Sequence, residues 1–189
     1  AVDQPAEIVW VEQAEQLGTG HAVKLAKEHL PDDGVTLVLY GDVPLISQTT
    51  LEECEQAARL GSVGLVVAEF SDPAQLGRIV RDDQGGITAI VEYKDASDEQ
   101  RKIQEINSGI IAAPTDLMSQ WLDRLQSNNA QQEYYLTDII AMAVQDGVDV
   151  VPVVATSEAE VTGINDRVQL AELERMYQQA LCSDLMLAG

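Results

Sequence analysis

A short apolar run that ends in a sharp turn is the most constraining feature of this sequence. Residues 36–40 read Thr-Leu-Val-Leu-Tyr, without polar alternation, and Gly41, Asp42 and Pro44 follow directly. Such a run predicts a parallel strand at the centre of a sheet, covered on both faces. The turn then places one carboxylate, Asp42, at the carboxyl end of that strand, where open α/β sheets bind ligands. This stretch alone is also compatible with an Asp42 that only shapes the turn.

The rest of the chain alternates between strand-like and helix-like segments. Further strands are predicted at residues 8–12, 63–70, 77–80, 87–91, 106–113 and 149–154, and helices at 21–29, 51–61, 98–102, 115–125, 133–144 and 166–181. Thr49 and Glu52 have the spacing of a capping box, and Asn165 is predicted to cap the last helix. The alternation predicts an α/β fold with a mixed, largely parallel sheet in one domain.

The charge of the chain restricts its partners. Its 189 residues include 11 Lys and Arg and carry a formal net charge of −21. A protein this acidic repels nucleic acid and anionic membrane surfaces, so we expect neither as a main partner. No apolar run reaches membrane-spanning length, and no leader-like segment opens the chain, so a cytoplasmic location is expected. An anionic ligand such as a nucleotide would need a divalent cation or local basic residues to offset the negative field of the protein.

Cysteine and histidine give no sign of a metal cluster or redox centre. Cys54 and Cys182 are far apart in helical patterns, without a Cys-x-x-Cys or Cys/His cluster, and are expected to be reduced thiols. His21 and His29 have no carboxylate or cysteine at ligand spacing, which favours surface or capping roles. Met118 and Trp121 lie at helical spacing among other apolar residues and are expected in the core rather than at a cofactor.

Several polar and glycine positions stand at predicted element ends. Gly18 and Gly20 precede a predicted helix, where backbone amides can approach a ligand closely. Glu92 follows a predicted strand and provides a second strand-end carboxylate, and residues 107–109 form a polar corner at the entry of another strand.

The motifs at these positions resemble those of one enzyme family. The matching stretches are Gln-Ala-Glu-Gln-Leu-Gly-Thr-Gly-His-Ala at 13–22, Leu-Tyr-Gly-Asp-Val-Pro-Leu-Ile at 39–46, Gly-Arg-Ile at 77–79, Ile-Val-Glu at 90–92 with Lys-Asp-Ala at 94–96, Glu-Ile-Asn-Ser-Gly at 105–109, Asn-Asn-Ala at 128–130 with Glu-Tyr-Tyr at 133–135, and Gly-Ile-Asn at 163–165. Together they resemble the uridylyltransferase domain of the GlmU family. These bacterial enzymes are bifunctional N-acetylglucosamine-1-phosphate uridyltransferases and glucosamine-1-phosphate N-acetyltransferases.

The resemblance implies a Rossmann-like nucleotidyltransferase fold and assigns roles on the nucleotide side of a pocket. Gln13 and Gly18 would read the uracil edge, with Thr19 beside them. Tyr40 and Gly41 would line the sugar-nucleotide pocket. These are expectations from the matched motifs, position by position.

The same resemblance implies a sugar site and a metal site. Gly77, Glu92 and Asn107 would hold N-acetylglucosamine, while Asp42 and Asn165 would bind Mg²⁺. One carboxylate and one amide oxygen suit Mg²⁺, which keeps several waters and needs few protein ligands. We therefore expect these two side chains to lie close enough to share one ion.

The implied reaction transfers UMP from UTP to N-acetylglucosamine-1-phosphate, giving UDP-N-acetylglucosamine and pyrophosphate for peptidoglycan and lipopolysaccharide synthesis. A phosphate monoester has a second pKa of about 6, so the nucleophile is already ionised and needs no general base. The protein therefore has to supply only the in-line positioning of the substrates and the neutralisation of charge on the phosphates. The resemblance also implies a homotrimeric parent protein that acetylates glucosamine-1-phosphate.

One departure from the family pattern is large. The family's glycine-rich loop and its Pro-Lys pair should precede Gln13 by several dozen residues, but only residues 1–12 stand there. We therefore expect 1–189 to be a partial domain whose last helix would lead to a left-handed β-helix domain. By itself it is expected to lack useful activity. Two alternatives stay open: another sugar-1-phosphate nucleotidyltransferase, or a non-catalytic sugar-nucleotide-binding fragment.

Overall fold

The computed structural model describes residues 8–189, which form an α/β fold as predicted. The helices are α1 (Thr19–Ala26), α2 (Gln48–Arg59), α3 (Thr115–Arg124), α4 (Asp138–Gln145) and α5 (Arg167–Ala188). The strands are β1 (Val35–Val38), β2 (Val63–Glu69), β3 (Arg78–Arg81), β4 (Ile87–Val91), β5 (Glu105–Pro114) and β6 (Val150–Val154). Short 3₁₀ helices lie at Lys27–His29, Gln100–Lys102 and Glu158–Val161. Within this range no helix is long and apolar enough to cross a bilayer.

The sheet is mixed, as predicted, but it is not largely parallel. Its strand order is β4-β3-β5-β2-β6, and β1 also pairs with β5. Among the strands of residues 8–189, β2 and β6 run parallel, whereas every other pair is antiparallel. The reason is that β3 and β4 form the predicted hairpin and that the long strand β5 runs against β1, β2 and β3. Hydrophobic patterning reports burial rather than strand direction, so the sequence could not exclude this arrangement.

Two predicted strands are placed differently in the structure. The run at 36–40 forms the short strand β1, which pairs antiparallel with β5 and has no second strand partner within the described range. It is therefore not a central parallel strand there, and Leu39 is 50% exposed. Residues 8–12 form no strand, and Trp10 is 90% exposed.

Helices cover both faces of the sheet and close two apolar cores. Consecutive residues of a strand point to opposite faces. Accordingly Leu65 packs in the core that contains Trp121 of α3, while Val66 packs in the core that contains Cys54 of α2. Trp121 is fully buried, and its indole N–H donates to Asp146 at 2.8 Å. The predicted core role of Trp121 is thus confirmed.

The helix caps lie next to the predicted ones. Ser47, not Thr49, caps α2, because its hydroxyl accepts a hydrogen bond from the Thr50 amide at 3.1 Å while Thr49 already lies inside the helix. Asp166, not Asn165, caps α5, and its carboxylate accepts from two amides of the first turn. Asn165 is therefore left in the loop before the helix, exposed at the end of the sheet where Asp42 lies.

Candidate nucleotide-sugar and metal site

The turn after β1 is held against the loop that precedes α5. The Val43 amide donates to the Tyr40 carbonyl at 3.1 Å, which closes the turn, and the Ile164 amide donates to the Asp42 carbonyl at 2.8 Å. At Gly163 a Cβ atom would lie 3.8 Å from Oδ2 of Asp42. The residues just before Asn165 thus contact Asp42, so the two predicted metal ligands stand on adjacent loops.

The donor set at these loops fits Mg²⁺. Asp42 and Asn165 are exposed and offer carboxylate and amide oxygens, the hard donors that Mg²⁺ prefers. In residues 8–189 no cluster of three or more His, Cys, Asp or Glu side chains is suited to a metal. A site at Asp42 and Asn165 would therefore depend on two protein groups, with water and substrate phosphate completing the shell.

The predicted uracil-reading residues lie together at the start of α1. The side-chain nitrogen of Gln13 donates to the Gly18 carbonyl at 3.1 Å and lies 3.2 Å from Nδ1 of His21. Gly18 has a φ of +103°, and a Cβ there would lie 2.7 Å from the Tyr134 carbonyl oxygen. Only glycine fits this close approach without strain. Gly18 is therefore packed directly against the backbone of Tyr134, and the Gly18 carbonyl orients the Gln13 amide.

The ring of Tyr40 packs against the polar corner at the entry of β5. Its ring lies over Gly109, where a Cβ atom would be 2.5 Å from Cε2 of Tyr40. Burial raises the pKa of the Tyr40 phenol, the neighbouring Thr19 side chain lowers it, and the charges of Glu92 and Asp42 raise it further. Tyr40 is thus a half-buried phenol with acidic groups in its surroundings.

The three predicted sugar-binding residues also converge. The Asn107 amide donates to the Gly77 carbonyl at 3.0 Å, and a Cβ at Gly77 would lie 3.4 Å from Oε2 of Glu92. Asn107 is 8% exposed, and its side-chain oxygen accepts from the Gly109 amide at 3.0 Å. Gly77 thus leaves open the space beside the Glu92 carboxylate, where a ligand hydroxyl could reach it.

Glu92 lies in an acidic, half-buried environment. Burial raises the pKa of Glu92, and the negative charges of Asp138 and Asp95 raise it further, while a hydrogen bond from Thr137 lowers it. The Thr137 hydroxyl donates to Oε1 of Glu92 at 3.0 Å. Glu92 also borders two open clefts, one towards Asp95 and Asp138 and one towards Lys94. The carboxylate is positioned to accept hydrogen bonds from a polar, uncharged ligand such as a sugar.

Comparison with known proteins identifies the family. Residues 3–159 match the family described as nucleotidyl transferase. The chain belongs to the nucleotidyl transferase family. Its fold agrees with this, because a crystal structure of UDP-glucose pyrophosphorylase complexed with UDP-glucose superposes with a TM-score of 0.71. That match has 14% identity and covers 91% of this chain and 66% of the other, so it shows a shared fold.

Curated relatives with higher identity carry the name bifunctional protein GlmU. The protein of Neisseria meningitidis serogroup A / serotype 4A (strain DSM 15465 / Z2491) is 54% identical over 183 residues, which are 97% of this chain and 40% of the relative. The protein of Acinetobacter baumannii (strain AYE) is 51% identical over 182 residues, 96% of this chain and 40% of the relative. The predicted resemblance to GlmU is thus confirmed for a nucleotidyl transferase chain that spans about 40% of its relatives' length.

One contact of the nucleotidyl transferase site was not predicted from the sequence. The helix predicted at 133–144 begins only at Asp138, so 133–137 is a loop. In this loop Thr137 reaches Glu92, and the Tyr134 carbonyl accepts from the Gly20 amide at 2.8 Å. No local sequence pattern indicates the contact between Thr137 and Glu92, because the two residues are far apart in sequence and are brought together by tertiary packing.

Proposed function

We propose that this chain provides the uridylyl-transfer site of a protein that makes UDP-N-acetylglucosamine and pyrophosphate from UTP and N-acetylglucosamine-1-phosphate. The observation that carries the proposal is the 54% identity to a GlmU protein over 97% of the chain. The geometry supports it, because the turn of Asp42 contacts the loop that leads to Asn165, and the ring of Tyr40 packs against Gly109.

On the nucleotide side, Gln13 would select uracil. A side-chain amide presents one donor and one acceptor, which match the paired edge of uracil. The hydrogen bond from Gln13 to the Gly18 carbonyl at 3.1 Å fixes the amide before substrate binds. Such orientation reduces the entropy lost on binding and leaves polar groups unpaired with the wrong base.

On the sugar side, Glu92 and Asn107 would hold N-acetylglucosamine. The ionised carboxylate of Glu92 accepts hydrogen bonds from sugar hydroxyls, and Thr137 keeps one of its oxygens in place at 3.0 Å. Gly77 leaves room for the sugar against this carboxylate. These contacts would fix the 1-phosphate relative to the α-phosphate of the nucleotide, the in-line arrangement that phosphoryl-type transfer needs.

At the reacting phosphates, Asp42 and Asn165 would hold Mg²⁺. When bound, the ion would neutralise phosphate charge, which the acidic walls of this site cannot do. The hydrogen bond from the Ile164 amide to the Asp42 carbonyl keeps the two ligand-bearing loops adjacent. Because the attacking phosphate is already ionised near neutral pH, no residue of this chain has to act as a general base.

For the longer protein we further propose Mg²⁺ dependence, a homotrimer, acetylation of glucosamine-1-phosphate and a cytoplasmic role in peptidoglycan and lipopolysaccharide synthesis. For a polypeptide of residues 1–189 alone, we propose little or no uridylyl transfer. The basis is electrostatic: 11 Lys and Arg against a net charge of −21 leave a triphosphate poorly neutralised.

The test is to assay the full-length protein for pyrophosphate and UDP-N-acetylglucosamine, with Mg²⁺ and with EDTA. A panel of nucleoside triphosphates and sugar-1-phosphates establishes the preferred pair. The proposal predicts turnover with UTP and N-acetylglucosamine-1-phosphate and its loss in EDTA. Binding of UDP-N-acetylglucosamine without turnover would instead show a non-catalytic module, and preference for another sugar would show a different nucleotidyltransferase. The same assay on residues 1–189 tests the activity of that segment.

A further inference from the structure

Glu160 is a buried carboxylate outside the substrate-contacting residues. It is 3% exposed and lies in the 3₁₀ helix Glu158–Val161. Its Oε1 accepts hydrogen bonds from the Ser47 amide at 3.0 Å and from the Thr50 hydroxyl. Its Oε2 accepts from the Thr156 amide at 2.7 Å and the Thr156 hydroxyl at 2.8 Å. The carboxylate therefore joins the N-terminus of α2 to the loop after β6.

Burial and hydrogen bonding act in opposite directions on this group. Burial raises the pKa of Glu160, but the hydrogen bonds from Thr50, Ser47 and Thr156 outweigh it and lower the pKa to about 2. The N-terminal end of α2 also favours a negative charge at this place. Glu160 is thus a fixed anion at every pH at which the protein would work.

The position of Glu160 links it to both predicted metal ligands. Ser47 lies five positions after Asp42, and Glu160 lies five positions before Asn165. Residues 42–47 and residues 160–165 are therefore two segments joined at both ends by hydrogen bonds, which we call ties. The first tie runs from the Ser47 amide to Glu160 at 3.0 Å, and the second runs from the Ile164 amide to the Asp42 carbonyl at 2.8 Å. Between these two ties, Val43 and Val161 are buried in the same apolar core.

From this closed arrangement we propose that Glu160 is a positioning residue, which fixes the loop of Asn165 against the turn of Asp42 so that the two side chains can hold one divalent cation. The inference rests on the proposed function, because it concerns the metal site of that reaction. Mg²⁺ demands near-ideal octahedral geometry. If one of the two ties is lost, the loop of Asn165 is held less accurately against Asp42, and the two side chains therefore bind the ion less tightly.

The test uses Glu160→Gln in the full-length protein, a change that keeps the shape of the side chain. An amide turns an N–H₂ group towards one of the donors, so one of the two sets of hydrogen bonds is lost. Mn²⁺ serves as the probe, with binding followed by electron paramagnetic resonance. Hydrogen–deuterium exchange of the peptide that contains Ile164 reports on the second tie. The activation constant for Mg²⁺ is compared with the KM values of both substrates.

Two control variants separate positioning from general stability. Glu158→Gln makes the same change in the same short helix at an exposed position. Trp121→Phe removes a buried hydrogen bond, that of the indole to Asp146, in the other apolar core. All measurements are made well below the melting temperature of each variant, so that lost stability alone does not appear as lost metal binding.

We expect Glu160→Gln to raise the Mn²⁺ dissociation constant about 10-fold or more, the range seen for residues that orient metal ligands. The activation constant for Mg²⁺ should rise with it, the substrate KM values should change less, and exchange at Ile164 should become faster. Both controls should leave these values unchanged. Thr156→Val removes one hydroxyl that donates to Glu160, so it should also raise the Mn²⁺ dissociation constant and speed exchange at Ile164, but by less. This variant provides the test if Glu160→Gln does not fold.

Unchanged Mn²⁺ binding and Ile164 exchange in Glu160→Gln or Thr156→Val would overturn the positioning role alone. Equal losses in Trp121→Phe would also overturn it, since they would show a general effect of stability. If the unchanged protein forms no UDP-N-acetylglucosamine, the proposed function is overturned. Exchange at Ile164 in the variants would still show whether Glu160 stabilises the hydrogen bond from Ile164 to Asp42.

Discussion

The ring of Tyr40 occupies the space that a side chain at position 109 would fill, because a Cβ atom built on Gly109 would lie 2.5 Å from Cε2 of the tyrosine. Gly109 also has a φ of +87°, which glycine adopts at little cost. This contact joins the turn after β1 to strand β5. It therefore fixes Tyr40 next to Asn107, whose side chain accepts a hydrogen bond from the Gly109 amide.

Gly109→Ala should displace Tyr40 and destabilise the fold. Gly85 is a matched control, since it has a φ of +86° but no atom within 4 Å of the place where its Cβ atom would lie. Gly85→Ala should cost about 1–2 kcal/mol of backbone strain, and Gly109→Ala about 1–3 kcal/mol more from the clash. Denaturant unfolding measures both. Equal losses of stability in the two variants would show that the Tyr40 contact contributes nothing.

Gln13→Ala should narrow the preference for UTP over CTP. The Gln13 side-chain nitrogen is held by Gly18 and His21, so in the proposed site its side-chain oxygen would accept from the N3–H of uracil, a hydrogen that cytosine lacks. An unsatisfied buried group costs about 1–3 kcal/mol, so the ratio of kcat/KM values should fall by about 5- to 150-fold. Gln16→Ala, an exposed change in the same loop, is the control. A ratio that stays the same would refute the assignment.

Local sequence pattern predicted those parts of the fold that local forces determine. The hairpin of β3 and β4, helix α3 and the buried Trp121 all followed from periodicity and turn residues. The direction and place of β1 did not, because an apolar run reports burial on its faces and not the identity of its neighbours. The same reason explains the wrong prediction at residues 8–12. An apolar composition is compatible with a strand, but a strand forms only where a partner strand is present to pair with it.

For the candidate site, too, some features could be predicted from the sequence and others could not. The matched motifs predicted Asp42, Glu92 and Asn165 as site residues, and these roles stay predictions. The hydroxyl of Thr137 meets Glu92 across 45 positions of sequence, and the Ser47 amide meets Glu160 across 113. Such contacts are set by tertiary packing. A single sequence holds no local signal for them.

Asp42→Asn should lower turnover by about 100-fold or more, the size typical for loss of charge stabilisation in a transition state. Folding should be intact, because Asp42 is exposed and its structural hydrogen bond, from the Ile164 amide, uses the backbone carbonyl. Asp83→Asn at the tip of the β3–β4 hairpin is the control. Steady-state kinetics at saturating Mg²⁺ and a thermal melt give the two readouts. An unchanged rate would remove Asp42 from the metal site.

Glu92→Gln should stabilise the fold at neutral pH while weakening sugar binding. Burial, with Asp138 and Asp95, raises the pKa of Glu92 in the folded protein above its ordinary value. Ionisation of such a group destabilises the folded state, and the penalty grows as pH rises from the unfolded pKa through the folded one. A glutamine never ionises, yet its side-chain oxygen can still accept the hydrogen bond from Thr137.

The gain in melting temperature from Glu92→Gln should therefore be largest at pH 7 to 8, which lies about three units above the ordinary pKa of a glutamate, and should become small near pH 4, where this carboxyl is mostly protonated in both states. Glu53→Gln, an exposed change on α2, should show no such dependence. Thermal melts from pH 4 to pH 8, about the range between those limits, measure the effect directly. A gain that is the same at every pH would show that the ionised Glu92 carboxylate is not destabilised by its surroundings.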